Sequence, residues 1–219
     1  MKVSFLMCSI KDSPYMKRTI DSFSKSFPGG KDYELEILAD IEEHKTGLKN
    51  TTNRYMKLFE KSKGDIIIKS DDDVEYLDNK WFEYCLNALL KEAKAAYISP
   101  ISHVLMKEIG IQHANSDKLP IDSHGEYREE NVLSGMAWVF RRTLWQHFPY
   151  TLAAARSWRL DGEYARIVHS KKLKTIALIG GHIKHLGGGR YKGIPTDRSG
   201  EMASTEFQVA HPEVNFTIT

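Results

Sequence analysis

The sequence predicts an α/β domain, with a mostly parallel central sheet flanked by helices and a small antiparallel element. Two observations carry this. The first third of the chain alternates apolar β-branched runs with amphipathic helical stretches, in the order β-α-β-α-β. The third of those strands, Ile66-Ile67-Ile68, runs into three consecutive carboxylates, Asp71-Asp72-Asp73. In an α/β sheet the C-terminal end of a strand is where ligands bind.

The length of 219 residues suits one domain or one domain with a small appendage. Hydrophobic residues make up 41% and charged residues 27%, as in an ordinary globular chain. The net charge of +2 gives no sign of a protein that coats nucleic acid. Cys8 and Cys85 lie in apolar surroundings without metal spacing and read as buried free thiols. No apolar stretch approaches the ~20 residues that span a bilayer. The opening apolar run at 3–8 is too short for a signal sequence and reads as a first strand, so a cytoplasmic location is expected.

Taken in order, residues 3–10 form strand one. Ser13-Pro14 then reads as an N-cap followed by proline in the first helical position. Met16, Ile20 and Phe23 give that helix its apolar stripe. Residues 33–39 read as strand two, with Asp40 at its C-terminal end. A carboxylate there accepts hydrogen bonds from a ribose or base, or caps the following turn, and the residues leave both open. Leu48, Thr52, Tyr55, Met56 and Phe59 suit a helix packed on the sheet. Lys49, Asn53 and Arg54 fall near its first turns, as donors toward a phosphate or base or as a plain polar face.

Beyond the acidic cluster, Asp78 can cap a helix with apolar Trp81, Phe82, Cys85, Leu86, Leu89 and Leu90. Residues 95–99 read as a strand stopped by Pro100, and 102–130 as an irregular or hairpin segment. His103, His113 and His124 lack ligand spacing and read as ordinary loop histidines. A second apolar strand follows at 132–140, where Ser134-Gly135 allows a close approach of substrate to backbone, or a plain tight turn. A short helix is expected around 144–148. Asp161 precedes a helical stretch with Tyr164, Ile167 and Val168, either as N-cap or as a general base. A helix N-terminus favours the ionised form of such a base. A last strand at 173–179 leads into a glycine-rich loop that carries His182 and His185. A histidine there can complete an Asp/His metal site or serve structure alone. Residues 191–219 read as a tail or lid, and Arg190 just before them, Lys192 and Arg198 are able to meet phosphates.

Three adjacent carboxylates repel one another and lose hydration at a strand end. A hard divalent cation with oxygen ligands relieves both, and Mg²⁺ typically joins one or two carboxylates to substrate phosphates. A solvated acidic turn is the plainer reading.

These pieces together resemble the nucleotide-sugar glycosyltransferases of the GT-A fold, especially family 2. The resemblance covers about residues 1–190, with a donor-binding half at about 1–100 and an acceptor half at about 101–190. Asp71-Asp72-Asp73 after an apolar strand looks like the family's DxD signature. Leu160-Asp161 before a helix with Arg166 looks like its Glu-Asp catalytic element, with Leu160 in place of the first acid and Glu163 in reserve. His185-Leu186-Gly187 resembles a late metal-ligating histidine.

The resemblance implies a metal-dependent transfer from a nucleoside-diphosphate sugar, a UDP-sugar favoured, to an acceptor hydroxyl, a glycan by default. It implies Asp161 as the base of an inverting displacement. It implies Ser9, Asp40, Lys49, Asn53, Asp71 and Asp72 on the donor, with Asp40 at the base and Asp71 at the ribose or metal shell. Asp73 and His185 would hold Mn²⁺ or Mg²⁺, and Arg190 and Lys192 would serve a lid. A nucleotidyltransferase is disfavoured because Cys8-Ser9-Ile10-Lys11-Asp12 is not a glycine- and arginine-rich loop. The acidic run matches neither an Asp-x-Asp-x-Thr phosphatase nor an EF-hand, which needs a glycine at its turn. Loss of the acid at Leu160 leaves a non-catalytic nucleotide- or sugar-binding module as the alternative from outside the enzymes.

Overall fold

In the computed structural model, the described residues are 1–28, 32–42, 48–110, 118–120, 124–131, 135–147, 165 and 168–186. Strand β1 (Lys2–Ile10) is followed by helix α1 (Met16–Ser26), β2 (Glu34–Glu42), α2 (Leu48–Lys61), β3 (Ile66–Ser70) and the short β4 (Val74–Tyr76). Then come α3 (Trp81–Lys91), β5 (Ala95–Ser99), α4 (His103–Glu108), β6 (Tyr127–Glu129), β7 (Ala137–Arg141), α5 (Arg142–His147), β8 (Lys174–Leu178) and β9 (Ile183–His185).

Seven strands form the central sheet in the order β2-β1-β3-β7-β5-β8-β6. Neighbours β2-β1, β1-β3 and β5-β8 are parallel, while β7 runs antiparallel to both β3 and β5, and β6 antiparallel to β8. Five strands thus share one direction, and β7 stitches their two parallel groups together. Strands β4 and β9 pair separately as an antiparallel ribbon.

Side-chain alternation sorts the core into two layers. Ile66 and Ile68 of β3 point into a layer with Phe5, Phe23, Trp81, Phe82 and Ile98, beneath α1 and α3. Ile67 points into the other, with Leu6, Tyr55, Phe59, Trp138 and Phe140, on the α2 side. The helix periodicity holds in α3, which buries Trp81, Phe82, Cys85, Ala88 and Leu89. Leu90, expected on that face, is 68% exposed because nine residues after Trp81 the helix has turned its opposite side. Asp78 does cap α3, its Oδ1 accepting from the Lys80 and Trp81 amides at 2.7 and 3.0 Å.

Several boundaries differ from the sequence expectation. Helix α1 starts at Met16 with Tyr15 at its N-cap position, and the Ser13 hydroxyl accepts from the Tyr15 amide at 3.4 Å. Strand β2 runs on to Glu42, so Asp40 lies within it, opposite Cys8, rather than at its end. The segment expected to be irregular contains α4 and β6. Ser102 caps α4 through the Leu105 amide at 2.9 Å.

Candidate functional site

Strands β1, β2 and β3 are parallel, so their C-terminal ends share one edge of the sheet. Ser9, Asp40 and the acidic run after Ser70 therefore gather there. The fold separates the three carboxylates by giving each a partner on a different element. Asp71 pairs with Nζ of Lys69 on β3. Asp72 Oδ2 accepts from the Ser9 hydroxyl of β1 at 2.6 Å. Asp73 Oδ2 lies 3.1 Å from Nε2 of His185 on β9.

The backbone of this turn is held as firmly. The Asp71 amide donates to the Met136 carbonyl at 2.8 Å, just before β7. The buried Thr19 hydroxyl donates to the Asp72 carbonyl at 2.7 Å and accepts from the Val74 amide at 3.1 Å. The Leu186 amide donates to the Asp73 carbonyl at 2.7 Å. Four segments distant in sequence thus fix the acidic turn.

Among the described residues, Lys69 and Arg54 are cations beneath the site. The sequence reading missed Lys69; a lysine inside an apolar strand run was the available signal. Its ammonium also donates to the Gly135 carbonyl and lies 5.3 Å from the Tyr55 ring and 5.5 Å from that of Trp138. Arg54, read from sequence as a donor toward a ligand or as part of a plain polar face, is buried instead. It donates through Nε to Asp40 Oδ2 at 2.9 Å, reaches the Ser9 carbonyl at 2.6 Å, and lies 3.2 Å from Glu42. One oxygen of Asp40 is therefore engaged by Arg54. Lys49 and Asn53 lie on the first turns of α2, and their side chains are outside the described residues. Asp161, Arg190 and Lys192 also lie outside them, as do Leu160, Glu163 and Arg166. The structure thus unites Ser9, Asp72, Asp71, Asp73 and His185, with Asp40 alongside.

Burial pulls the His185 imidazole toward its neutral form, but the hydrogen bond to Asp73 and the charges of Asp73 and Asp71 outweigh it, and the net shift is upward. A cation bound at about 2.1 Å from an imidazole nitrogen and a carboxylate oxygen at a right angle needs them about 3 Å apart. Asp73 and His185 meet that spacing. Among the described residues no group of three or more His, Cys, Asp or Glu side chains has an arrangement that could hold a metal ion; Mg²⁺ usually takes further oxygens from substrate phosphates and water. Carboxylate plus phosphate oxygens is the hard donor set of Mg²⁺ and Mn²⁺.

A separate cleft of about 700 Å³ opens between α1 and the turn after β4, lined by Lys17, Arg18, Asp21, Glu75 and Asp78 among others. Within it Arg18 pairs with Glu75 at 2.6 Å and Lys17 with Asp21. None of the candidate donor-site residues lines it.

No family profile matches the sequence, and no curated protein sequence matches it. Solved structures do match. A mannosyltransferase from Pyrobaculum calidifontis, solved with GDP-Man and Mn²⁺, superposes with a TM-score of 0.56 at 10% identity, over 97% of this chain and 75% of that one. GalNAc-T7, solved with UDP, GalNAc and Mn²⁺, gives a TM-score of 0.60 at 11% identity, over 96% of this chain and 48% of that one. The 1–349 segment of S. aureus TarS gives 0.56 at 11% identity, over 82% of this chain and 58% of that one. The chain therefore spans three quarters of the first neighbour and roughly half of the other two. Sheet order, acidic turn and these superpositions agree on the fold: this chain has the GT-A architecture.

Proposed function

We propose that the protein is a metal-dependent glycosyltransferase that moves a sugar from a nucleoside diphosphate to an acceptor hydroxyl. The observation that carries this reading is the meeting of Asp73 and His185 at 3.1 Å beside Ser9 and Asp72, at the C-terminal edge of β1 and β3. GT-A neighbours solved with GDP-Man or UDP and with Mn²⁺ support it.

Asp73 and His185 hold the cation, Mn²⁺ or Mg²⁺. When bound, it supplies neutralisation of the negative charge that develops on a departing diphosphate. Asp72, oriented by Ser9, accepts hydrogen bonds from donor hydroxyls. Asp71, fixed by Lys69, faces the ribose or the metal shell, and the oxygen of Asp40 not used by Arg54 faces the base. Lys49 and Asn53 contribute from α2, and Arg190 and Lys192 close over the phosphates. Asp161 removes the acceptor proton as the hydroxyl attacks the anomeric carbon from the face opposite the leaving group, which inverts the configuration. The favoured donor is a UDP-sugar and the favoured acceptor a glycan.

Calorimetry with UDP, GDP, dTDP and CMP, each with Mn²⁺ and with EDTA, tests the donor site. Metal-dependent binding of one nucleotide, abolished in Asp73→Ala, is expected. Absence of binding to all four would remove the donor site. Asp161→Asn is expected to keep donor binding and to lower turnover at least about a hundredfold. A wild-type protein that binds a labelled sugar nucleotide but neither transfers nor hydrolyses it would be a binding module.

A further inference from the structure

The β4–β9 ribbon is only three residue pairs long: Val74 with His185, Glu75 with Lys184 and Tyr76 with Ile183. A two-stranded ribbon of that size does not hold itself together in water. Its inward face is apolar, with Val74, Tyr76 and Ile183 buried beside His185. Alternation of this kind excludes a slip of one residue, which would turn every side chain over. It does not exclude a slip of two, which restores the same facing and moves His185 by about 7 Å along the strand. Something else must set the register that brings His185 to Asp73.

The other end of the ribbon carries a second aspartate–histidine pair. His182, immediately before β9, donates through Nδ1 to Asp78 Oδ2 at 2.7 Å. Its carbonyl accepts from the Leu77 amide at 3.0 Å, which extends the ladder by one step. Asp78 is itself immobilised, because its other oxygen caps α3. The His182 ring is wholly enclosed and its Nε2 has no hydrogen-bond partner. A ring kept there despite a buried orphan nitrogen serves through its other nitrogen, the one on Asp78. The approach to His182 is fixed too. Gly181 bridges Ile101 and has no room for a Cβ, which would lie 2.4 Å from the Leu119 carbonyl oxygen.

We propose that Asp78 and His182 are positioning residues of the site: their hydrogen bond sets the register of β9 on β4 and so presents the His185 imidazole to Asp73. The consequence for metal binding rests on the reading of Asp73 and His185 as ligands; the positioning itself does not.

The test uses the full chain. His182→Ala removes the pin, and His182→Asn keeps an N–H donor near the place of Nδ1. In metal-free protein, imidazole ¹⁵N signals of His185 report its hydrogen bond to Asp73, and Mn²⁺ affinity is then measured by electron paramagnetic resonance. The alanine variant is expected to lose the wild-type His185 signature and to bind Mn²⁺ about tenfold or more weakly, with Asn restoring both. A folded alanine variant with wild-type His185 signals and wild-type affinity overturns the proposal. If alanine does not fold, Asp78→Asn, which retains the cap oxygen, is read in the same way. Loss of the His185 signature in a protein whose wild type binds no Mn²⁺ upholds the positioning role and removes the metal reading.

Discussion

Lys69 and Asp71, two residues apart at the end of β3, form an ion pair in which the lysine side chain is almost fully buried and the carboxylate is 41% exposed. The partly exposed carboxylate can rehydrate if its partner is lost; the Gly135 carbonyl, which shares the ammonium, loses its donor. Lys69→Met keeps the aliphatic stem between Tyr55 and Trp138 and deletes the charge. It is expected to lower stability by about 1–2 kcal/mol in urea denaturation. A stability equal to wild type would show that the pair is energetically idle.

Thr19 ties the acidic turn to α1 with one hydroxyl that both donates and accepts. Thr19→Val keeps the shape and strands the Asp72 carbonyl and the buried Val74 amide. A loss of about 1–3 kcal/mol is expected. Thermal unfolding that overlays on wild type would mean that water replaces the hydroxyl at no cost.

Both cysteines are shielded. Burial pushes the Cys8 thiol up to about 12, the nearby Arg54 charge offsetting only part of it, and burial pushes Cys85 well above its ordinary value. A raised value keeps the thiol protonated and unreactive at pH 8. Native protein is expected to react with a thiol-specific dye on the order of a hundredfold more slowly than denatured protein. Rapid labelling of either cysteine in the native state would contradict the burial.

Glu36 carries an acid-side signature. Burial raises its carboxyl, but hydrogen bonds from the Ser4 hydroxyl and the Lys63 and Gly64 amides win, and the net value lies below the ordinary 4.5. Its stabilising contribution is thus complete above the ordinary value and is lost as pH falls through the lowered one. Glu36→Gln is expected to be less stable than wild type at pH 7, with the gap closing toward pH 3. Urea midpoints at both values decide it; a constant gap would remove the linkage.

How much of this was readable beforehand follows from the length of each signal. The Ile66-Ile67-Ile68 run announces the strand and its carboxylates nominate a candidate site, because β-branched runs and charge are local properties. A small antiparallel element is expected and present, but its strands could not be located beforehand, since three-residue strands are too short to show a period. His185 could be nominated from its glycine-rich loop, yet its meeting with Asp73 depends on the partner of β9, which no local pattern specifies. Neither open reading of Arg54, ligand donor or polar face, anticipates its burial, because a helix period tells which residues share a face, not that a long side chain bends back to strand ends. Ser102 and the buried Glu130 looked like loop polarity, and only folding shows the Ser102 hydroxyl on the Glu130 carboxylate.

The pairing of Asp73 with His185 joins positions 112 residues apart (185 minus 73). During synthesis Asp73 leaves the ribosome long before its imidazole partner. The Asp73–His185 contact therefore cannot form while the first half of the chain folds alone, and it comes into being only once β9 closes on β4. The contact is in this sense a report that the chain has been made past position 185 and folded.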